Sequence, residues 1–83
     1  MEKEQIFEML KKALIELFEI EESRISLEAK IYEDLEIDSI DAIDMIDYIK
    51  KNTGYRMEAN YFKEVKTLQD IVEVVYKQLK NNA

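Results

Sequence analysis

The chain contains no cysteine and no histidine. Their joint absence removes the Cys nucleophile, the His general base, the Ser-His-Asp arrangement and the usual zinc sites. It also leaves the protein without a thiol of its own. Proline is missing and glycine occurs once, at Gly54, which disfavours a turn-rich all-β fold. No run of 18 apolar residues exists, so no segment reads as a membrane span. The first residues, Met-Glu-Lys-Glu-Gln, lack the basic and apolar regions of a secretory signal, and a cytoplasmic protein is expected. Positive charge is also scarce. Lys+Arg number 12 against 19 Asp+Glu, a net charge of −7. That argues against nucleic acid as a partner, because phosphate binding rests on clustered Lys and Arg. The field favours basic protein partners instead. Intrinsic catalysis is not expected.

What remains is a helix-forming alphabet of Leu, Ile, Glu, Lys and Asp. With 83 residues and 47% hydrophobic content, a single domain over 1–83 with a modest core is expected. There are no repeats and no low-complexity linkers. The spacing of Ile6, Leu10, Ala13, Leu14 and Leu17, widened by Phe7 and Phe18, predicts a first helix over 4–18. Residues 19–38 lose that period. Ile20, Ile25, Leu27, Ile31, Leu35 and Ile37 are scattered among charges there, as in a long loop pinned to a core by its apolar residues. Ser26 is a candidate cap for a short turn in that loop.

A second helix is predicted over 39–52, with Asp38 as N-cap, Asp41 completing a capping box, and Gly54 taking the left-handed position past its end. A brief helical turn is predicted over 58–62. The last helix is predicted to begin at Thr67, with Asp70 three residues on as a second capping box. Its stripe is Leu68, Ile71, Val72, Val75 and Leu79. The expected fold is therefore all-α: three main helices, a short third helix and a long first loop, in an up-and-down four-helix bundle.

The stretch from Asp38 to Ile49 reads as four Asp-x-Ile-like triplets. On a helix at 100° per residue, a step of three cannot keep either set on one side. With Asp41 at zero, Met45, Ile49, Ala42 and Ile46 fall near about 40°, 80°, 100° and 140°, one apolar face. Asp47, Ile40, Lys51 and Asp44 fall between roughly 240° and 300°. Three readings of that acidic side compete. It is a solvated surface favoured by the helix dipole, a cation site, or a recognition patch with Ile40 as an apolar anchor inside a charged rim. The cation reading lacks the alternating oxygens and sharp-turn glycine of a calcium loop. Ser39 likewise reads either as a first-turn serine or as a modification site. Its hydroxyl stands at a helix start that stabilises phosphate, with no base in the chain to make it a nucleophile.

The run Glu33-Asp34-Leu35-Glu36-Ile37-Asp38-Ser39-Ile40-Asp41 resembles the E-D-L-G-x-D-S-L-D/E pattern of the acyl carrier protein family. The likeness extends over nearly the whole chain through size, acidity and helix spacing. It implies an acyl-carrier-like bundle in which Ser39 bears 4′-phosphopantetheine, whose thiol carries acyl groups as thioesters. It implies that Asp38 assists the phosphopantetheinyl transferase and its Mg²⁺. By the same resemblance, Ile40, Asp41, Ile43, Asp44 and Asp47 meet basic patches on acyl-transferring and ketosynthase-type enzymes. An acyl chain sheltered between the helices would meet Ala42, Ile46, Ala59, Phe62 and Ile71. No catalytic residue, no resident metal and a monomer are implied.

Departures from the pattern accompany it. Glu36 replaces the usual glycine, so the turn into the second helix is either built differently or needs only negative φ. Ile40 replaces the common Leu, Asp47 stands where fatty-acid carriers often have an apolar residue, and residues 55–66 lack the usual proline. The function implied is carriage of acyl intermediates in fatty-acid, polyketide or polyene-type lipid synthesis, and these departures resemble a specialised carrier of an aryl-polyene-like or other secondary pathway more than the housekeeping fatty-acid carrier. Two rival expectations are an unmodified carrier-fold module that docks a basic partner, and a Ser-dependent hydrolase, which lacks a base.

Overall fold

The computed structural model describes residues 1–81. Among these residues the structure is all-α, with no strand and four α-helices: α1 (Lys3–Phe18), α2 (Ser39–Thr53), α3 (Ala59–Glu64) and α4 (Leu68–Asn81). A 3-10 turn, Glu22–Arg24, interrupts the long first loop. Helix α1 is the hub, packing against both α2 and α4, while the short α3 packs on α2. None of the described helices is long and apolar enough to cross a membrane.

Each helix forms where its termini are chemically marked. The Glu2 N–H donates to Gln5 Oε1 at 2.7 Å, closing the start of α1. That helix ends at Glu19, whose φ of 55° is left-handed and whose N–H donates to the Ile15 carbonyl at 3.1 Å. Gly54 ends α2 as expected, with φ 82° and its N–H donating to the Lys50 carbonyl at 2.8 Å. Thr67 caps α4 rather than beginning it. The Thr67 N–H donates to Asp70 Oδ2 at 3.2 Å, and the Asp70 N–H returns a bond to Thr67 Oγ1 at 3.4 Å. Asp70 Oδ2 also accepts from the Lys66 N–H at 2.9 Å. These backbone donors, Lys66 first, hold the Asp70 carboxyl below its ordinary range.

The core is formed by one face of each helix and by the loop. Ile6, Leu10, Ala13 and Leu14 of α1 are buried as the period predicts, but Leu17 is exposed and Met9 takes its place in the stripe. At 100° per residue Leu17 lies only about 20° from Ile6, so its exposure comes not from its face but from its place in the last turn of α1. Leu68, Ile71, Val72 and Val75 are buried on α4, and Leu79 packs partly against the core. From the loop, Ile20, Ile25, Ile31, Leu35 and Ile37 are buried and pin it down, while Leu27 stays exposed. Ser26 opens a turn through its carbonyl, which accepts from the Ala29 N–H at 3.1 Å.

The loop is tied to α4 by backbone as well as by side chains. Ile31 N–H donates to the Lys66 carbonyl at 2.9 Å, Leu68 N–H to that of Ala29 at 3.2 Å, and Gln69 N–H to that of Leu27 at 2.9 Å. An isolated antiparallel bridge joins Lys30 and Thr67. Tyr32 Oη adds a bond to the Phe62 carbonyl of α3 at 3.1 Å. Twenty loop residues with only a 3-10 turn of their own are thus held in place, because their polar backbone finds partners at the start of α4.

Candidate functional site

The site begins three residues before α2. Leu35 and Ile37 are buried, and Glu36 between them points to solvent with φ 55°. The turn therefore keeps the left-handed geometry of a glycine. Neither a different turn nor a negative φ replaces it, and a non-glycine residue bears the conformation. Arg24, from the end of the 3-10 turn, lies 3.7 Å from the Glu36 carboxylate and donates to the Asp34 carbonyl.

Asp38 follows as N-cap. Its Oδ1 accepts from the Ile40 N–H at 3.0 Å and from the Asp41 N–H at 2.9 Å. Asp41 Oδ2 accepts from the Asp38 N–H at 3.4 Å, completing the box. Both cap bonds fall on one oxygen of Asp38, which leaves Oδ2 outside the cap. Ser39 is the first residue of α2 and is exposed. Ser39, the expected attachment point, and Asp38, expected to assist, thus stand together at a helix N-terminus, where the dipole favours a phosphate although the Ile40 and Asp41 N–H groups are already taken by Asp38.

Ala42, Met45, Ile46 and Ile49 form the buried face of α2, as the helical geometry predicts. The remaining sequence-predicted residues lie on its outer sides. Ile40 is 72% and Ile43 51% exposed, so neither side chain is required by the core. Asp44 and Asp47 are exposed, and Asp41 is half-buried by its role in the cap. Asp47 Oδ1 lies 3.6 Å from the Arg56 guanidinium.

Beside Ile43 and Asp47, a surface groove of ≈ 490 Å³ runs between α2 and α3, lined by Ile43, Ile46, Arg56, Met57, Glu58 and Ala59. Of the side chains expected to meet an acyl chain, Ile46 and Ala59 line this groove. Ala42, Phe62 and Ile71 are buried in the core. Arg56 and Met57 were not legible as site residues. Arg56 meets Asp47 only after the chain has turned at Gly54, so no local spacing announces the pair. Among the described residues, no cluster of three or more acidic side chains is arranged to hold a metal ion.

A small four-helix domain that presents an exposed serine behind a capping aspartate, at the head of an acidic helix, defines the carrier class. The comparisons agree with it. Residues 8–75 match the family model described as "Phosphopantetheine attachment site". The chain is 30% identical over 79 residues to the acyl carrier protein of Coprothermobacter proteolyticus, covering 95% of this chain and 96% of the relative. It is 35% identical over 71 residues to "Acyl carrier protein 2" of Ralstonia nicotianae, covering 86% and 88%. Against the acyl carrier protein of Thermotoga maritima the identity is 30% over 77 residues, covering 93% and 95%. The chain belongs to the acyl carrier protein family and contains its phosphopantetheine-attachment domain. Its cofactor is 4′-phosphopantetheine, and its partners are a phosphopantetheinyl transferase and acyl-handling enzymes.

Proposed function

We propose that the protein, a single domain over 1–83, carries acyl intermediates of fatty-acid, polyketide or polyene-type lipid synthesis on an arm attached to Ser39. It does so in the cytoplasm, as a monomer without catalysis of its own. The observation that supports this most directly is the exposed Ser39 at the first position of α2, behind the Asp38 cap and inside the matched segment. The arm supplies the thiol that the chain lacks. Ser39 Oγ supplies the ester oxygen, and the positive end of the α2 dipole stabilises the phosphate charge beside it. Asp38 holds the first turn through Oδ1 and offers Oδ2 to the transferase and its Mg²⁺. Ile40 and Ile43 are apolar anchors within a rim of Asp41, Asp44 and Asp47, which suits basic patches on the transferase and on acyl-transferring and ketosynthase-type enzymes.

The test is direct. Incubation with coenzyme A, Mg²⁺ and a broad-specificity phosphopantetheinyl transferase should raise the intact mass by one arm, and Ser39→Ala should abolish the gain. No gain, or a gain that survives Ser39→Ala, overturns the assignment. If no gain is accompanied by one stoichiometric partner in a pull-down, the protein is instead an unmodified docking module.

A further inference from the structure

Glu36 is one of two non-glycine residues with positive φ among the described residues, and the two are held differently. Glu19 ends a helix, and its N–H is fixed by the Ile15 carbonyl. Glu36 sits in a turn, fixed at each side by a buried neighbour, Leu35 and Ile37. Backbone bonds close that turn, the Leu35 N–H donating to the Lys30 carbonyl at 3.0 Å and the Ile37 N–H to the Ile31 carbonyl at 3.1 Å, and Arg24 lies across it from the outside. That guanidinium pairs with the Glu36 carboxylate and donates to the Asp34 carbonyl, so it spans the turn on both sides of Leu35. Arg24 is itself rooted. It ends the 3-10 turn, whose Glu22 carboxylate lies 2.8 Å from Lys11 of α1, and the next residue, Ile25, is buried.

We propose that Arg24 is a positioning residue for modification of Ser39, acting through Glu36: it holds the left-handed turn that aims the chain into the Asp38 cap and the first turn of α2. This rests on the reading of Ser39 as the attachment point. Without the brace, the backbone bonds of Leu35 and Ile37 alone hold the turn, and Glu36 visits more often the negative φ that any L-residue prefers. The entry into Asp38 then loosens, and with it the bonds from the Ile40 and Asp41 amides. Ser39 lies within that turn, so the hydroxyl is presented in more orientations and reacts less often. The argument differs in sign from a charge effect. Arg24 is the one cation lining a groove of ≈ 540 Å³ rimmed by Glu19, Glu21, Glu36 and Asp41. Removing it makes the surface more acidic, which by steering alone would speed encounter with a basic transferase.

The test uses the full chain with Arg24→Ala, Glu36→Gly and the double substitution. Initial rates of arm transfer from coenzyme A are read by intact mass, and amide hydrogen exchange is read at Ile40 and Asp41. Arg24→Ala should slow transfer about two- to five-fold, the change an exposed pair of this kind supports. It should speed exchange at those two amides while leaving Ile49, in the middle of the buried face, unchanged. Glu36→Gly should make Arg24 dispensable, because glycine holds positive φ without a brace. The double variant should then match Glu36→Gly in both readouts. Wild-type transfer and exchange in Arg24→Ala overturns the proposal. So does an equal loss on removing Arg24 from the Glu36→Gly background, which would place the arginine's effect outside the turn. If the wild-type chain takes no arm, the attachment reading falls and exchange alone decides the brace. Faster exchange in Arg24→Ala that Glu36→Gly cancels supports it, and unchanged exchange overturns it.

Discussion

At Asp38 a single oxygen accepts from both the Ile40 and Asp41 amides. Substituting Ala removes the cap and should cost about 1 kcal/mol of stability. Asn keeps an acceptor oxygen at the same place, so Asp38→Asn should stay within a few tenths of a kcal/mol of wild type. If Asp38 also serves the transferase through Oδ2, Asp38→Asn should nevertheless slow arm transfer. Thermal melts paired with intact-mass rates check this: equal rates for wild type and Asp38→Asn would confine the residue to capping. The cap itself was legible in sequence, because Asp-Ser-Ile-Asp places acceptors at the N-cap and three residues on. The conformation of Glu36 was not, since a glutamate gives no sign of positive φ.

At the scale of the element, α2 separates buried from exposed residues as its period suggested, and the exposed acids differ in what they pair with. Asp41 takes part in the cap and Asp47 pairs with Arg56, which leaves Asp44 as the cleanest probe of the acidic face. Asp44→Lys should leave helicity unchanged and shift stability by about 0.5 kcal/mol or less. It should weaken the transferase interaction, most at low salt. Circular dichroism with transfer kinetics at two ionic strengths reads both. Unaltered kinetics would return the face to a solvated surface. Helix α4 makes a separate prediction from its own cap. The Asp70 carboxyl is held below its ordinary pKa by the Lys66 and Thr67 amides, so it binds a proton less readily folded than unfolded. Its contribution is therefore present above the unfolded value, about 3.9, and is lost as pH falls through the lower folded one. Asp70→Ala should cost about 1 kcal/mol at neutral pH, and the gap to wild type should narrow below about pH 4. Melting curves from pH 7 to pH 2 show whether the two converge.

For the whole molecule the dominant long-range term is its own charge. The principal extents are 33 × 24 × 20 Å. The screening length is about 30 Å at 0.01 M salt and about 8 Å at 0.15 M. At low salt each carboxylate thus feels nearly every other in a chain of net charge −7, while at physiological salt it feels only its neighbours. Compaction concentrates that repulsion, so the melting temperature should rise between those salt concentrations. Surface ion pairs such as Lys3–Glu73 and Lys30–Glu33 oppose the trend, but exposed pairs contribute only about 0.2–1 kcal/mol each. A melting temperature that stays level or falls would mean that the pairs outweigh the repulsion.

By itself the sequence determined the helices, the caps of α2 and the start of α4, and the division of α2 into an apolar and an acidic face, because these follow from periods and from side-chain acceptors within four residues. It also determined that no thiol or histidine chemistry belongs to the chain. Only the tertiary structure decided how residues 19–38 are held, since their partners lie far along the sequence at Phe62, Lys66, Leu68 and Gln69. The same holds for the Arg24 brace on Glu36 and the Arg56 pairing with Asp47. Contacts closed by folding the chain back on itself leave no period to read.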